Sequence, residues 1–124
     1  MINSINKIEF SIGGYSHGEE AFILEGNEIT FWDNGISGGG RPPEEWISKK
    51  NINEKDKETL RIMLNNLSFL KWNKEYCDDN VLDGKQWSIL VIYNGNLKKK
   101  VYGSNSYPKG FTNLEKAIKN LENT

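Results

Sequence analysis

The stretch Asp83–Phe111, DGKQWSILVIYNGNLKKKVYGSNSYPKGF, decides the fold. Trp87 to Tyr93 is a run of β-branched and aromatic residues, the composition of a strand. Asn94-Gly95 follows; both residues tolerate positive φ, so the chain turns back there as a hairpin, and Leu97 to Tyr102 returns. Two registers compete. A two-residue turn pairs Ile92 with Leu97 and sets aliphatic residues on the faces of the lysines. A three-residue loop, with Gly95 in the left-handed conformation and a bulge, pairs Val91 with Leu97 and Trp87 with Val101. A slip of one residue turns every side chain to the other face. The second register collects Trp87, Ile89, Val91, Leu97 and Val101 on one face, and the sequence favours it. Ile89 to Ile92 is apolar on both faces, the mark of a central strand. Lys98, Lys99 and Lys100 set the returning strand at or near a sheet edge, where lysines oppose pairing with another chain.

Working toward the N-terminus, Lys7 to Ile12 alternates, with Ile8, Phe10 and Ile12 on one face: a half-buried strand. After a loop at Gly13–Gly18, Glu20 to Glu25 and Glu28 to Trp32 form a hairpin about Gly26-Asn27. That turn pairs Leu24 with Ile29 and Phe22 with Phe31, so register and apolar pattern agree and the three segments read as an antiparallel meander. Asn34 to Pro43 is a Gly-rich connection without the spacing or the lysine of a phosphate-binding loop. Glu44 to Ile47 reads as a short helical turn anchored by Trp46. A helix starts near Asn53, capped with Asp56 three residues on, with Asn51 and Glu54 as the competing start. Leu60, Met63, Leu64 and Leu67 form its buried stripe; Asn65-Asn66 weakens it and it frays by Trp72. Lys74 to Gly84 is an acidic loop. Thr112, with Glu115, caps a last helix whose stripe is Leu114, Ala117, Ile118 and Leu121.

The order is βββ-α-ββ-α in one domain, residues 1–124. The expected class is α+β: an antiparallel sheet of about five strands with two helices on one face.

Charge excludes a strongly attracting polyanion binder: 16 basic residues stand against 17 acidic. Only Arg41 and Arg61 are arginine, the usual residue for bidentate phosphate recognition. Cys77 is the only cysteine, so no disulfide closes within the chain and a reducing compartment is expected. The opening MINSINKIEF has no apolar run of signal-peptide length, and no segment approaches the roughly 20 apolar residues of a membrane helix. The expectation is a cytoplasmic protein.

Catalytic and metal chemistry finds little to build on. His17 is the only histidine and lies in a different loop from Cys77. Asp78, Asn80 and Asp83 resemble a calcium loop, but the spacing demands an oxygen ligand at Leu82 and no closing glutamate follows. One Cys and one His do not make a zinc site. Glu19 and Glu20 are adjacent on a strand and point to opposite faces, a poor acid–base pair. The sequence therefore predicts neither metal nor cofactor. Trp32 and Tyr102 fall opposite the core face of their hairpins and are the aromatic candidates for a protein interface.

One motif stands apart. Trp72, Asp83, Gly84, Trp87, Gly103, Ser104, Asn105, Tyr107, Pro108 and Phe111 spell W…D-G-x-x-W…G-S-N-x-Y-P-x-x-F over about a third of the chain. This pattern resembles the C-terminal half of a group of small bacterial proteins with no assigned activity, with Ser106 where alanine is expected. The resemblance implies a shared fold and supplies no catalytic residues. Abundant Asn, Lys and Ile fits bacteria of low GC content or their phages.

Three functional readings follow. The first is a non-enzymatic protein-binding domain that inhibits a nuclease or toxin, in the manner of anti-CRISPR or immunity proteins. It would offer Asp78 and Asp79, or Glu19, Glu20, Glu25 and Glu28, to a basic groove. The second is a nucleic-acid binder using Lys98, Lys99, Lys100 and Lys109, with Tyr102 and Tyr107 stacking on bases. The third is a small hydrolase centred on Cys77 or Ser104 near His17.

Overall fold

The structure, a computed structural model, describes residues 1–14, 18–35, 47–77 and 85–122. Its elements are β1 (Ile5–Gly14), β2 (Gly18–Glu25), β3 (Glu28–Gly35), β4 (Ile47–Asn51), α1 (Glu54–Asn66), a 3-10 turn at Phe69–Lys71, β5 (Glu75–Cys77), β6 (Lys85–Tyr93), β7 (Leu97–Ser104) and α2 (Phe111–Glu122). The strands form one sheet in the order β4-β3-β2-β1-β6-β7-β5. Neighbours are antiparallel except β5 and β7, which run parallel. The class is α+β as expected, but the sheet is mixed and has seven strands rather than about five.

The two extra strands sit at the two edges. Ile47, expected in a helical turn, opens β4, and Glu75 to Cys77, expected in a loop, forms β5. Each pairs on one side only, and four of the five β4 residues are exposed. β4 is largely exposed, and β5, three residues long, turns only Tyr76 toward the core, so neither is long or buried enough to show a period-two pattern.

The meander matches expectation in detail: Leu24 pairs with Ile29 and Phe22 with Phe31, while Ile8, Phe10 and Ile12 are buried. In the second hairpin the loop is Asn94-Gly95-Asn96 with Gly95 at φ 96°, and Tyr93, not Val91, opposes Leu97. Val101 faces Ile89, and Gly103 faces Trp87. The expected register is thus wrong by two residues. An even slip preserves which side chains share a face, so Trp87, Ile89, Val91 and Val101 are buried together, while Leu97 at the hairpin end stays half exposed.

Helix α1 starts as expected, with the Asn53 side chain accepting from the Asp56 backbone N–H at 2.8 Å. It ends at Asn66, and Ser68 takes a left-handed conformation before the 3-10 turn. Asn65, expected to weaken the helix, has another role: its amide exchanges two 2.9 Å hydrogen bonds with the backbone of Ile2, which is fully buried. Asn94 holds the same segment from the hairpin, accepting from Asn3 N–H at 2.8 Å and donating to the Met1 carbonyl at 3.0 Å. Helix α2 begins at Phe111 rather than being capped by Thr112; the carbonyl of Gly110 accepts the first helical bond, from Leu114, at 3.1 Å.

One apolar core joins Phe10, Phe22, Leu24, Ile29, Ile89, Val91 and Val101 of the sheet to Leu60 and Leu64 of α1 and to Leu114, Ile118 and Leu121 of α2. Both helices therefore cover the same face. No helix among the described residues is long and apolar enough to cross a membrane.

The motif W…G-S-N-x-Y-P-x-x-F is a corner built about Trp87. Its indole N–H donates to the Ser106 carbonyl at 2.9 Å. Its ring meets Phe111 at 4.6 Å, Tyr76 at 6.1 Å and Tyr107 at 6.2 Å between centroids. The ring lies on Gly103, where a Cβ would come within 2.5 Å of Nε1. Asn105 at φ 60° then turns the chain, its N–H bonded to the Lys85 carbonyl at 3.0 Å. A Gly103→Ala substitution is expected to cost about 1–3 kcal/mol of stability by forcing the indole away. Chemical denaturation measures it, and an unchanged midpoint would show that Trp87 has room to move. Asn53→Ala should cost about 1 kcal/mol through loss of the cap, read in the same way.

Candidate functional site

With both helices on one face, no described element covers the other face of the sheet. Strand register lays its side chains out in rows. One row runs Ile47, Trp32, Ala21, Ser11, Ser88, Tyr102 and Glu75 across all seven strands. Beside it run Glu19, Gly13, Gln86, Ser104 and Cys77. On the other side follow Lys49, Thr30, Ile23, Glu9, Leu90 and Lys100, and then Asn51, Glu28, Glu25, Lys7, Ile92 and Lys98.

The first two rows form a trough. Ala21, Ser11, Ser88 and Gly13 are small and make a low floor, while Trp32 and Tyr102 stand at opposite sides, and the open space between them is about 640 Å³. Four strand spacings separate the two aromatic residues, about 19 Å between their Cα atoms. The hydroxyls of Ser11 and Ser88 meet at 2.9 Å on the floor. At the Tyr102 wall, Glu75 accepts twice: from the phenolic O–H at 3.1 Å and from the Cys77 thiol at 3.1 Å. On the lower rows Lys7 lies between Glu9 (3.1 Å) and Glu25 (3.4 Å), and hydrogen bonds to those carboxylates push its pKa upward.

Trp32 and Tyr102, singled out in the sequence, are thus the two walls of one trough. The three lysines do not act together. Lys98 and Lys100 reach the open face; Lys99 points to the helix side and donates to the Trp72 carbonyl at 2.8 Å. As expected, the lysine strand is near the edge: β5 covers only Tyr102 to Ser104 of β7. Tyr107 packs against Trp87 and Phe111, and Lys109 lies beside Pro108 and Gly110 near the start of α2, so neither joins Lys98 and Lys100. Cys77 and Ser104 are register partners at the rim of the trough. A thiolate nucleophile needs a cation or a helix N-terminus beside it; here Sγ donates to the Glu75 carboxylate. Asp78, Asp79 and His17 lie outside the described residues. Among the described residues no three His, Cys, Asp or Glu side chains gather as metal ligands.

The residues missed by sequence reading are the floor and Glu75. Alternation did place Ser11 opposite Phe10 and Ser88 opposite Ile89, so the signal for an outward hydroxyl was there. That the two hydroxyls meet depends on β1 pairing with β6, some 77 residues apart in sequence, and no local pattern carries that pairing.

In comparisons with known proteins, no family model matches the chain, and neither a curated protein nor a solved structure does.

The Tyr102 phenol ionises above its ordinary value of 10.0, because Glu75 accepts its proton and the carboxylate charge opposes a phenolate. The bond is complete below the ordinary value and is lost as pH rises through the elevated one. Glu75→Gln should bring Tyr102 back toward 10.0. Tyrosine Cζ chemical shifts followed from about pH 8 to about pH 12 will show it; an unmoved titration would mean that Glu75 does not hold the phenol.

Proposed function

We propose that this chain is a non-enzymatic protein-binding domain that docks its partner on the open face of the sheet, as an inhibitor of a nuclease or toxin would. The observation that carries this reading is the one-sided covering. Seven strands are packed by helices on one face only, and the other exposes Ile23, Ile47 and Tyr102, with Trp32 half buried among them. Large apolar and aromatic groups gathered on one uncovered surface are the composition of an interface centre. Its size also fits. Strands of three to ten residues, about 4.8 Å apart and rising about 3.3 Å per residue, cover roughly 800 Å², close to the roughly 800 Å² that each partner gives to a standard interface.

The same face is less suited to a nucleic acid. Lys98 and Lys100 share it with Glu9, Glu25, Glu28 and Glu75, and phosphates laid across it would meet those carboxylates. Tyr102, the ring that would stack on a base, carries Glu75 on its hydroxyl.

The test is capture with three forms of the chain: wild type, the open-face double variant Ile23→Glu/Tyr102→Ala, and Ile62→Glu on the exposed side of α1. Wild type and the α1 variant should retain the same partner from a bacterial lysate and inhibit its activity. The open-face variant should lose about 2 kcal/mol or more, some 30-fold in Kd. A partner held equally by all three, or no partner and no inhibition across nucleases and toxins, would overturn the reading.

A further inference from the structure

We infer that the trough between Trp32 and Tyr102 is a pocket for an arginine on a protruding loop of the docked partner. The inference rests on the open face being the docking surface and names what the partner brings to it.

The lining chemistry selects the charge. Among the described residues Glu19 and Glu20 border the trough and no lysine or arginine does; the Glu19 side chain stands on the open face, while that of Glu20 turns to the helix side. Glu20 is committed elsewhere, to Lys119 of α2 at 2.9 Å. Glu75 adds a further carboxylate behind the Tyr102 ring. The described lysines of this face stand apart from the floor: Lys100 is one row away beside Leu90, Lys49 is one row away beside Thr30 on the edge strand β4, Lys98 is two rows away beside Ile92, and Lys7 is held by Glu9 and Glu25. A cation entering the trough gains the carboxylates without meeting a described like charge.

The walls select the shape. Guanidinium groups stack on flat aromatic faces and fork to paired acceptors more readily than ammonium does. Trp32 and Tyr102 supply aromatic walls. Below them the paired hydroxyls of Ser11 and Ser88, the Ser104 hydroxyl and the Gln86 carboxamide supply acceptors. The space, about 640 Å³, holds an arginine together with its neighbouring backbone, so a loop tip fits better than an isolated side chain.

The experiment is an amide NMR titration of the whole chain with a capped pentapeptide, Gly-Gly-Arg-Gly-Gly, against the same peptide carrying citrulline, its neutral isostere. The arginine peptide should give saturable shifts at the Trp32 indole N–H and at the amides of Ser88 and Tyr102. The citrulline peptide should bind at least five-fold more weakly, as should the arginine peptide to Glu75→Gln and to Tyr102→Leu. Equal binding of the two peptides, shifts mapping elsewhere, or no saturable shift would overturn the inference. The capture experiment separates the two levels. If Glu75→Gln and Tyr102→Leu hold the partner as wild type does while Ile23→Glu releases it, the docking face stands and the arginine pocket falls. If the arginine peptide binds as expected but no partner is captured, the pocket stands and the docking reading falls.

Discussion

The packing of Trp87 onto Gly103 is the constraint on which the rest depends. The indole lies where a side chain at position 103 would be, and its N–H reaches the Ser106 carbonyl. One ring thereby sets how β6 meets β7, where β7 stops, and how the chain turns toward α2. Phe111, the first residue of α2, touches Trp87 and also Phe10 of β1. Tyr76 of β5 touches Trp87 as well. Three strands and a helix are thus referred to one side chain. Trp87, Gly103, Tyr107 and Phe111 of the motif W…G-S-N-x-Y-P-x-x-F are accounted for by this packing.

Anchored in that way, α2 lies beside α1 on the Trp87 side of the sheet, and no described element covers the opposite side. The proposed docking surface follows from this asymmetry. Every core strand has one row of side chains beneath the helices and one row facing outward, and the outward rows hold Trp32, Tyr102, Ile23 and the serine floor. The lysine run shows how alternation divides a sequence feature. Lys98 and Lys100 face outward, while Lys99 crosses to the helix side and secures Trp72. What looks like a basic patch in the sequence is two separated surface charges and one structural hydrogen bond.

The interior strands and both helices were legible because each is buried on a definite face, and burial imprints a period: two for Ile8, Phe10 and Ile12, three to four for Leu60, Leu64 and Leu114, Ile118. The edge strands β4 and β5 were not legible, because β4 is largely exposed and β5, with Tyr76 alone turned to the core, is too short to imprint a period. The later hairpin was half legible. Its faces were right because parity governs them; its register was wrong because the three-residue loop Asn94-Gly95-Asn96 pairs Tyr93 with Leu97, whereas Val91 opposite Leu97 would leave five residues between them. Leu97 lies at the exposed end of β7, where the apolar pattern no longer reports burial. Of the candidate site, the outward direction of Trp32 and Tyr102 could be read, and their sharing of one trough could not.

By itself, the sequence determined the α+β class, the meander, the central place of β6, the cap at Asn53 and the absence of a dominant charge. All of these arise from interactions within a strand, a turn or a helix, where spacing along the chain is spacing in space. Only the tertiary structure decided the sheet order, the parallel pairing of β5, the meeting of Ser11 with Ser88 and the trough between Trp32 and Tyr102. Those depend on which strands become neighbours. That choice is made by the fit of the helices over one face and by the Trp87 corner, contacts between residues far apart in sequence that no local pattern encodes.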